Sequence, residues 1–418
     1  MIRKLFSWGR LWSHKDFMRL WTSETIGAFG RQVTALALPT VAILLLNADP
    51  FQMGILYALE DLAFPIFGLF VGVWADRVHR RPVMIAANVG RMIAIGSVPL
   101  AFLFAVLHLY ILYLVAFCSG LFTVFFDISY QSYLPTLIER SDLVEGNSKL
   151  ETSQSGARVA GPAIAGFLIQ LAGAAMAIAA DALAYLASAI LIFSIRKQEP
   201  APETKLKRSF ILELKEGARA VFGNAILSRI AACTATLNFG SGIFFAVFLL
   251  FVYEQLKLSP EIMGFILATG SVGFVVGAVN ASRIARTLGL GRTLVVSIFV
   301  SGVGLLAVPI ALYGPAIPIL TALWFFSNVL IPVYNINQIS LRQALVSDRL
   351  QGRMNATMRT FVWGTLPVGS FIGGILGDHL GIVWTLIIGA LISILAMAWI
   401  SFPPVVSLRD VPAGPTVS

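Results

Sequence analysis

Glu60 and Asp61 stand side by side in the middle of a long apolar run. Adjacent carboxylates repel one another, so one member of such a pair is suited to loading and releasing a proton. Other ionisable side chains lie inside other apolar runs. Glu24 and Arg31 are seven residues apart and therefore share one helical face; Asp127, Arg158 and Asp181 each lie in a further run. Charge at membrane depth is costly and by default functional. Glu60, Asp61, Asp127 and Glu24 are thus the proton-coupling candidates, with Glu24 near enough to the end of its run to be a rim residue. A structural ion pair, for instance Arg31 with Asp61, is the competing reading. Asp181 and Arg158 read as interhelical structure, and Arg91 as a side chain that snorkels toward nearby loop charges. Other chemistries find no support. There is no Gly-Lys-Ser/Thr phosphate loop. His14, His79, His108 and His379 lack metal spacing. Cys118 and Cys233 sit in apolar stretches as packing residues. No enzymatic activity, metal or cofactor is expected.

The elements that must position these groups follow from composition. The chain has 418 residues, 57% hydrophobic and 12% charged, where soluble domains carry about 25% charge. Its net charge of +9 comes from bases in the gaps between apolar runs, which points to a membrane and not to nucleic acid. Runs long enough to span fall at 17–46, 52–74, 82–107, 110–137, 143–171 and 174–195, then at 225–254, 260–285, 293–312, 315–345, 350–377 and 382–402. The expected fold is an all-α polytopic membrane protein with twelve transmembrane helices in two pseudo-symmetric six-helix bundles, 17–195 and 225–402. A basic amphipathic lead-in (1–16), a linker with a surface helix at Phe210–Phe222 (196–224) and a disordered tail (403–418) complete the plan. Arg77, Arg80, Arg81, Arg140, Arg283, Arg286, Arg292, Arg349, Arg353 and the linker bases fall on one face, with only Lys257 on the other. By the positive-inside rule both termini are cytoplasmic in a multi-pass plasma-membrane protein. An internal repeat agrees: Asn147, Gly156, Gly161 and Gly166 line up with Asn355, Gly364, Gly369 and Gly374, displaced by about 208 positions (355 − 147), as for tandem halves.

Several motifs carry a family resemblance. The loop Gly72-x-x-x-Asp76-Arg77-x-x-Arg80-Arg81 resembles the loop between the second and third helices of major facilitator superfamily transporters. Gly161-Pro162-x-x-Ala165-Gly166 is similar to the antiporter motif of that superfamily's drug exporters, and equally to plain small-residue packing. Leu36-Ala37-Leu38-Pro39, Phe125-Phe126-Asp127 and Gly352-Arg353 also fit, with bacterial macrolide-efflux and siderophore-exporter proteins the nearest look. The resemblance implies alternating access and export of a small amphipathic compound, driven by protons and carried out by a monomer in the bacterial inner membrane. An uptake carrier or a non-transporting sensor of the same fold remains open. It also implies a gating role for Gly72, Asp76, Arg77, Arg80 and Arg81, and a central cavity lined by helices one, four, seven and ten. On that implication Glu24, Arg31, Asp127, Tyr130 and Gln131 line the cavity from the first half. Asn238, Asn328, Tyr334, Asn335 and Gln338 line it from the second. The loop departs from the family at His79, where Gly is usual, which raises the question of a turn with positive φ.

Overall fold

A computed structural model describes residues 10–75, 77–199 and 210–412. Among these the secondary structure is entirely helical. The first half holds α1 (Lys15–Leu44), α2 (Pro50–Ala75), α3 (Arg80–Leu103), α4 (Leu109–Leu137), α5 (Leu143–Ala172) and α6 (Ala174–Phe193). Then come α7 (Phe210–Phe222), α8 (Ala225–Leu250), α9 (Pro260–Leu288), α10 (Leu290–Leu306), α11 (Ala316–Leu345), α12 (Asp348–Trp363), α13 (Thr365–Leu380) and α14 (Ile382–Leu395). Helix is what apolar runs of this length require, because lipid satisfies no backbone group. Among the described residues ten helices are long and apolar enough to cross a membrane. α2, with Glu60 and Asp61, and α5, with Glu145, Lys149, Glu151 and Arg158, are not in that set.

Local signals mark several helix ends. Asn224 starts α8 by accepting hydrogen bonds from the amides of Ile226 and Leu227 at 2.9 and 3.2 Å, an ordinary N-cap. Ser259 caps α9, with Pro260 in the first turn. Single glycines with φ of +83° and +85°, Gly173 and Gly381, join α5 to α6 and α13 to α14. Only a residue free of a Cβ adopts that backbone without strain, and the two occur at the same repeat displacement as the glycines within α5 and α13.

The contacts divide the chain into two units: Met1–Val41 with Ile66–Lys205, and Ala42–Pro65 with Leu206–Ser418. In the first, α3 packs between α4 and α6. Phe17, Leu20, Met84, Phe126 and Tyr133 form its best-buried core. In the second, α11 packs on α9 and α10, and α8 on α13 and α14. Although 42–65 lies within the first bundle by sequence, it groups with the second unit. There Gly54 meets the backbone of Gly374 so closely that an added Cβ would lie 2.6 Å from the Gly374 Cα, and Phe51 packs on Phe371.

The span expected at 350–377 is among the ten, as Leu350–Leu380, with a break at Gly364 that divides it into α12 and α13. The Thr365 hydroxyl there donates to the carbonyls of Ala235 and Val362. Two expectations need correction. The stretch after Pro403 is not a disordered tail up to Arg409. Val405 is fully buried, and the carbonyls of Arg409 and Leu408 accept from the Leu290 and Gly291 amides at 2.9 Å each, so the segment caps α10. Its later residues, 413–418, lie outside the described residues, as do 1–9 of the lead-in and 200–209 of the linker. Lastly, the described end of the lead-in packs on helices: Leu11 is buried and its amide donates to Glu145. The surface helix at Phe210–Phe222 is present as α7. It lies against α12, where Glu216 pairs with Arg353.

Candidate functional site

The charged groups of the first unit converge on its interior. Glu24 and Arg31 lie on one face of α1, and Asp127 and Arg91 come within electrostatic reach of Glu24. Gly27 lets the Arg31 guanidinium fold back along α1; a Cβ there would stand 3.4 Å from Nη1. Asp181 on α6 is fully buried and accepts from Thr34 Oγ1 at 2.5 Å. Its other oxygen has no hydrogen-bond partner among the described residues and presses on Gly30, where any Cβ would collide with it. The cluster thus sets the carboxylates of Glu24, Asp127 and Asp181 against the guanidiniums of Arg31 and Arg91.

Arg91 does not snorkel. It is 0% exposed and is clamped between the rings of Phe126 (α4) and Tyr185 (α6), at 4.4 and 4.5 Å from their centroids. Two aromatic faces compensate a desolvated guanidinium better than a long reach to a loop would. Nη2 donates to Asn88 Oδ1 at 2.6 Å. The Asn88 amide donates to Ser188 Oγ at 2.7 Å, and Ser188 meets Ser23 Oγ at 2.6 Å. This buried chain ties α3 to α6 and α1, one residue from Glu24. Spacing did not single out its serines and asparagine, since such residues are common in apolar helices. Tyr130 stacks on Phe126, Asp127 is half-buried, and Gln131 is exposed. Arg158 is exposed as well, so it is not the interhelical tie that its position in an apolar run suggested.

The charged loop is organised by a residue from the linker. Glu199 accepts from the amide of Arg80 at 2.8 Å and that of Arg81 at 3.2 Å, and pairs with Arg80 Nη1 at 3.2 Å. A carboxylate on the first amides of α3 satisfies donors the helix leaves open. Arg81 donates to the carbonyls of Ile192 and Phe193, closing the end of α6. His79 has φ −65° and ψ 128°, extended backbone that any residue adopts, so the loss of glycine there strains nothing. Arg77 is exposed. Gly72 has no atom near the place a Cβ would take. Asp76 lies outside the described residues. In α5, Gly161 lies against the Gln32 side chain of α1, and Pro162 and Gly166 are buried; that contact is close helix packing.

In the second unit Glu60, Asp61 and Tyr253 lie within electrostatic reach of Tyr57. Glu60 is exposed and Asp61 half-buried. A separate cavity of about 200 Å³ lies among α8, α10, α11 and α14. It collects four of the five second-half candidates, Asn238, Asn328, Tyr334 and Asn335, and adds Thr234, Trp324 and a row of serines. Gln338 is not part of its wall; it is buried elsewhere on α11, with Oε1 unpartnered among the described residues. No group of His, Cys, Asp and Glu among the described residues is arranged to hold a metal.

Long apolar helices with ionisable groups turned into the helix packing define a multi-pass membrane protein. Residues 7–413 match the family described as transmembrane secretion effector, and the chain belongs to that family, within the major facilitator superfamily. It is 24% identical to the multidrug efflux pump Tap of Mycolicibacterium fortuitum over 378 residues, 87% of this chain and 89% of that protein. To macrolide efflux protein A of Streptococcus pyogenes it is 21% identical over 375 residues, 85% and 92% of the two chains. Its fold is similar to the crystal structure of a bacterial homologue of the iron transporter ferroportin in an inward-facing state. The TM-score is 0.71 at 17% identity, covering 93% of this chain and 99% of that one.

Proposed function

We propose that this chain is a secondary exporter. It moves a small amphipathic compound out across the bacterial plasma membrane by alternating access of two six-helix bundles, twelve spans in all, with both termini cytoplasmic, acting as a monomer and exchanging cargo for protons. The observation that carries the coupling is the interior of the first unit, where Glu24, Asp127 and Asp181 share Arg31 and Arg91. No ion pair among the described residues closes on Glu24 or Arg31. A carboxyl without a fixed partner in a desolvated setting gains or loses a proton as its surroundings change. The efflux names of Tap and macrolide efflux protein A support the outward direction. On this reading Asp76 with Gly72 and Arg77 gates the cytoplasmic side, while Arg80 and Arg81 brace the ends of α3 and α6.

The test uses the full-length protein in vesicles with an imposed pH gradient and an internal pH dye. A panel of toxic amphipathic compounds is added one at a time to the parent protein and to Glu24→Gln, Asp61→Asn and Asp127→Asn. Compound-dependent proton movement in the parent, reduced at least about tenfold in one or more variants, is the expected result. Undiminished proton-linked efflux in all three variants sinks the assignment of coupling to these carboxylates. Higher cell content of a compound in the presence of the protein than in its absence would instead mark an uptake carrier.

A further inference from the structure

The cavity of the second unit has a defined shape. α10 packs on both α11 and α14, and α14 on α8, so α8 and α11 face each other across a floor made by α10 and α14. Two contacts bridge the facing helices. At one end the hydroxyls of Thr234 and Tyr334 meet at 2.7 Å. At the other, Phe245 meets Trp324 edge to face, with centroids 6.0 Å apart. Eleven residues of helix separate the bridges along α8, so the slot between them is roughly 16 Å long.

The chemistry of the slot is specific. Its wall carries hydroxyls, carboxamides, aromatic rings and aliphatic side chains and, among the described residues, no carboxylate or base. A charged ligand group would enter it without a counter-charge, at high desolvation cost. Two of the slot's three carboxamides, on opposite walls, are already oriented. Asn238 Nδ2 donates to the Val362 carbonyl at 3.0 Å, and Asn328 Nδ2 to the Trp324 carbonyl at 2.8 Å. Those bonds fix which end of each amide is the oxygen, and leave each Oδ1 able to accept two hydrogen bonds and each Nδ2 with one further N–H. Ser327, 4% exposed and also lining the slot, has an Oγ with no partner among the described residues. A ligand whose groups both donate and accept, such as hydroxyls, with no charge and about one ring in size, therefore suits a space of about 200 Å³.

We propose that the slot between α8 and α11 is a recognition site for an uncharged, hydroxyl-bearing ring of the cargo, whose O–H groups donate to Oδ1 of Asn238 and Asn328. Calling the bound molecule cargo rests on the exporter reading; the site and its ligand class do not. Sites built from a few placed polar groups in an apolar wall fix orientation in this way. They reject analogues that lack the matching groups much more strongly than analogues of slightly different size.

The experiment takes the full-length protein in lipid nanodiscs and follows quenching of tryptophan fluorescence by three nitrophenyl probes. They are neutral 4-nitrophenyl β-D-glucopyranoside, anionic 4-nitrophenyl phosphate and cationic (4-nitrophenyl)trimethylammonium. Saturable quenching is expected with the glucoside alone, and Asn238→Leu and Asn328→Leu each weaken it about tenfold. Asn335→Ala removes a lining amide that makes no hydrogen bond among the described residues. It keeps the fold testable if the other variants do not accumulate, and is expected to weaken binding severalfold. Equal quenching by all three probes, or glucoside binding unchanged in every variant that folds, overturns the proposal. Proton-linked efflux of the compound panel is measured in parallel. Absent or unselective binding with efflux intact overturns the slot and leaves the exporter reading standing. Selective, variant-sensitive binding without efflux supports the slot and overturns the exporter.

Discussion

At the scale of single residues, Arg91 shows how burial changes the meaning of a charge. Its guanidinium is held by two aromatic faces and one carboxamide. Lysine keeps the charge but presents a compact ammonium in place of a stacking plane. Arg91→Lys is therefore expected to lower stability by about 2 kcal/mol, the scale of desolvated cation–π contacts, read as a lower thermal midpoint of the purified protein. An unchanged midpoint would mean the stacking contributes nothing. Gly30 offers a second check. Its missing Cβ is the space occupied by an Asp181 oxygen. Gly30→Ala should destabilise by about 1–3 kcal/mol, as overpacking does, and Asp181→Ala in the same chain should recover part of that loss, since the two sites share one volume.

Elements are tied together here by residues that belong to connections. Asp16 accepts from the amides of Arg196 and Lys197 at 3.2 and 3.0 Å. Lys197 donates to the Leu137 carbonyl at 3.0 Å, and Glu199 holds the start of α3. The first residues after α6 are thus fastened across the ends of α1, α3 and α4. Glu199→Gln keeps the shape and loses the charge, which is worth about 1–2 kcal/mol at a helix start with an adjacent arginine. Tryptic cleavage after Arg196 or Lys197 is expected to speed up about tenfold or more, and equal cleavage rates in parent and variant would count against the clamp. The segment at 403–410 makes a parallel case. A chain ending at Phe402 loses Val405 from the core and the two carbonyls on α10. It should have a clearly lower thermal midpoint, whereas a chain ending at residue 412 should match the parent.

For the whole molecule, the repeat predicts related packing with unequal tolerance. Gly161 lies against the side chain of Gln32, and its repeat partner Gly369 against the backbone of Phe239. A side chain can change rotamer and backbone inside a helix cannot, so Gly369→Ala is expected to cost more than Gly161→Ala. Both fall in the range of about 1–3 kcal/mol for overpacked sites. Thermal unfolding of the two variants side by side decides it; a larger loss at Gly161 would show that Gln32 is as fixed as backbone. Two homologous positions then differ in tolerance because of what each meets, although both were read from the same glycine pattern.

Membrane-length helices, the linker helix at Phe210–Phe222, the repeat and the family were all legible in the chain. Each depends on local pattern: apolar length, charge placement, or residues close in sequence. The same holds for Glu24 and Arg31 sharing a face, since seven residues is a property of one helix. Tertiary structure decided which charges are buried and by what. Arg91 faces two rings that come from α4 and α6. Glu199 reaches an α3 start more than a hundred residues earlier. The slot exists only because α8 and α11 stand apart over α10 and α14. These depend on side chains brought together from distant positions, and hydropathy along one chain carries no record of which apolar face meets which.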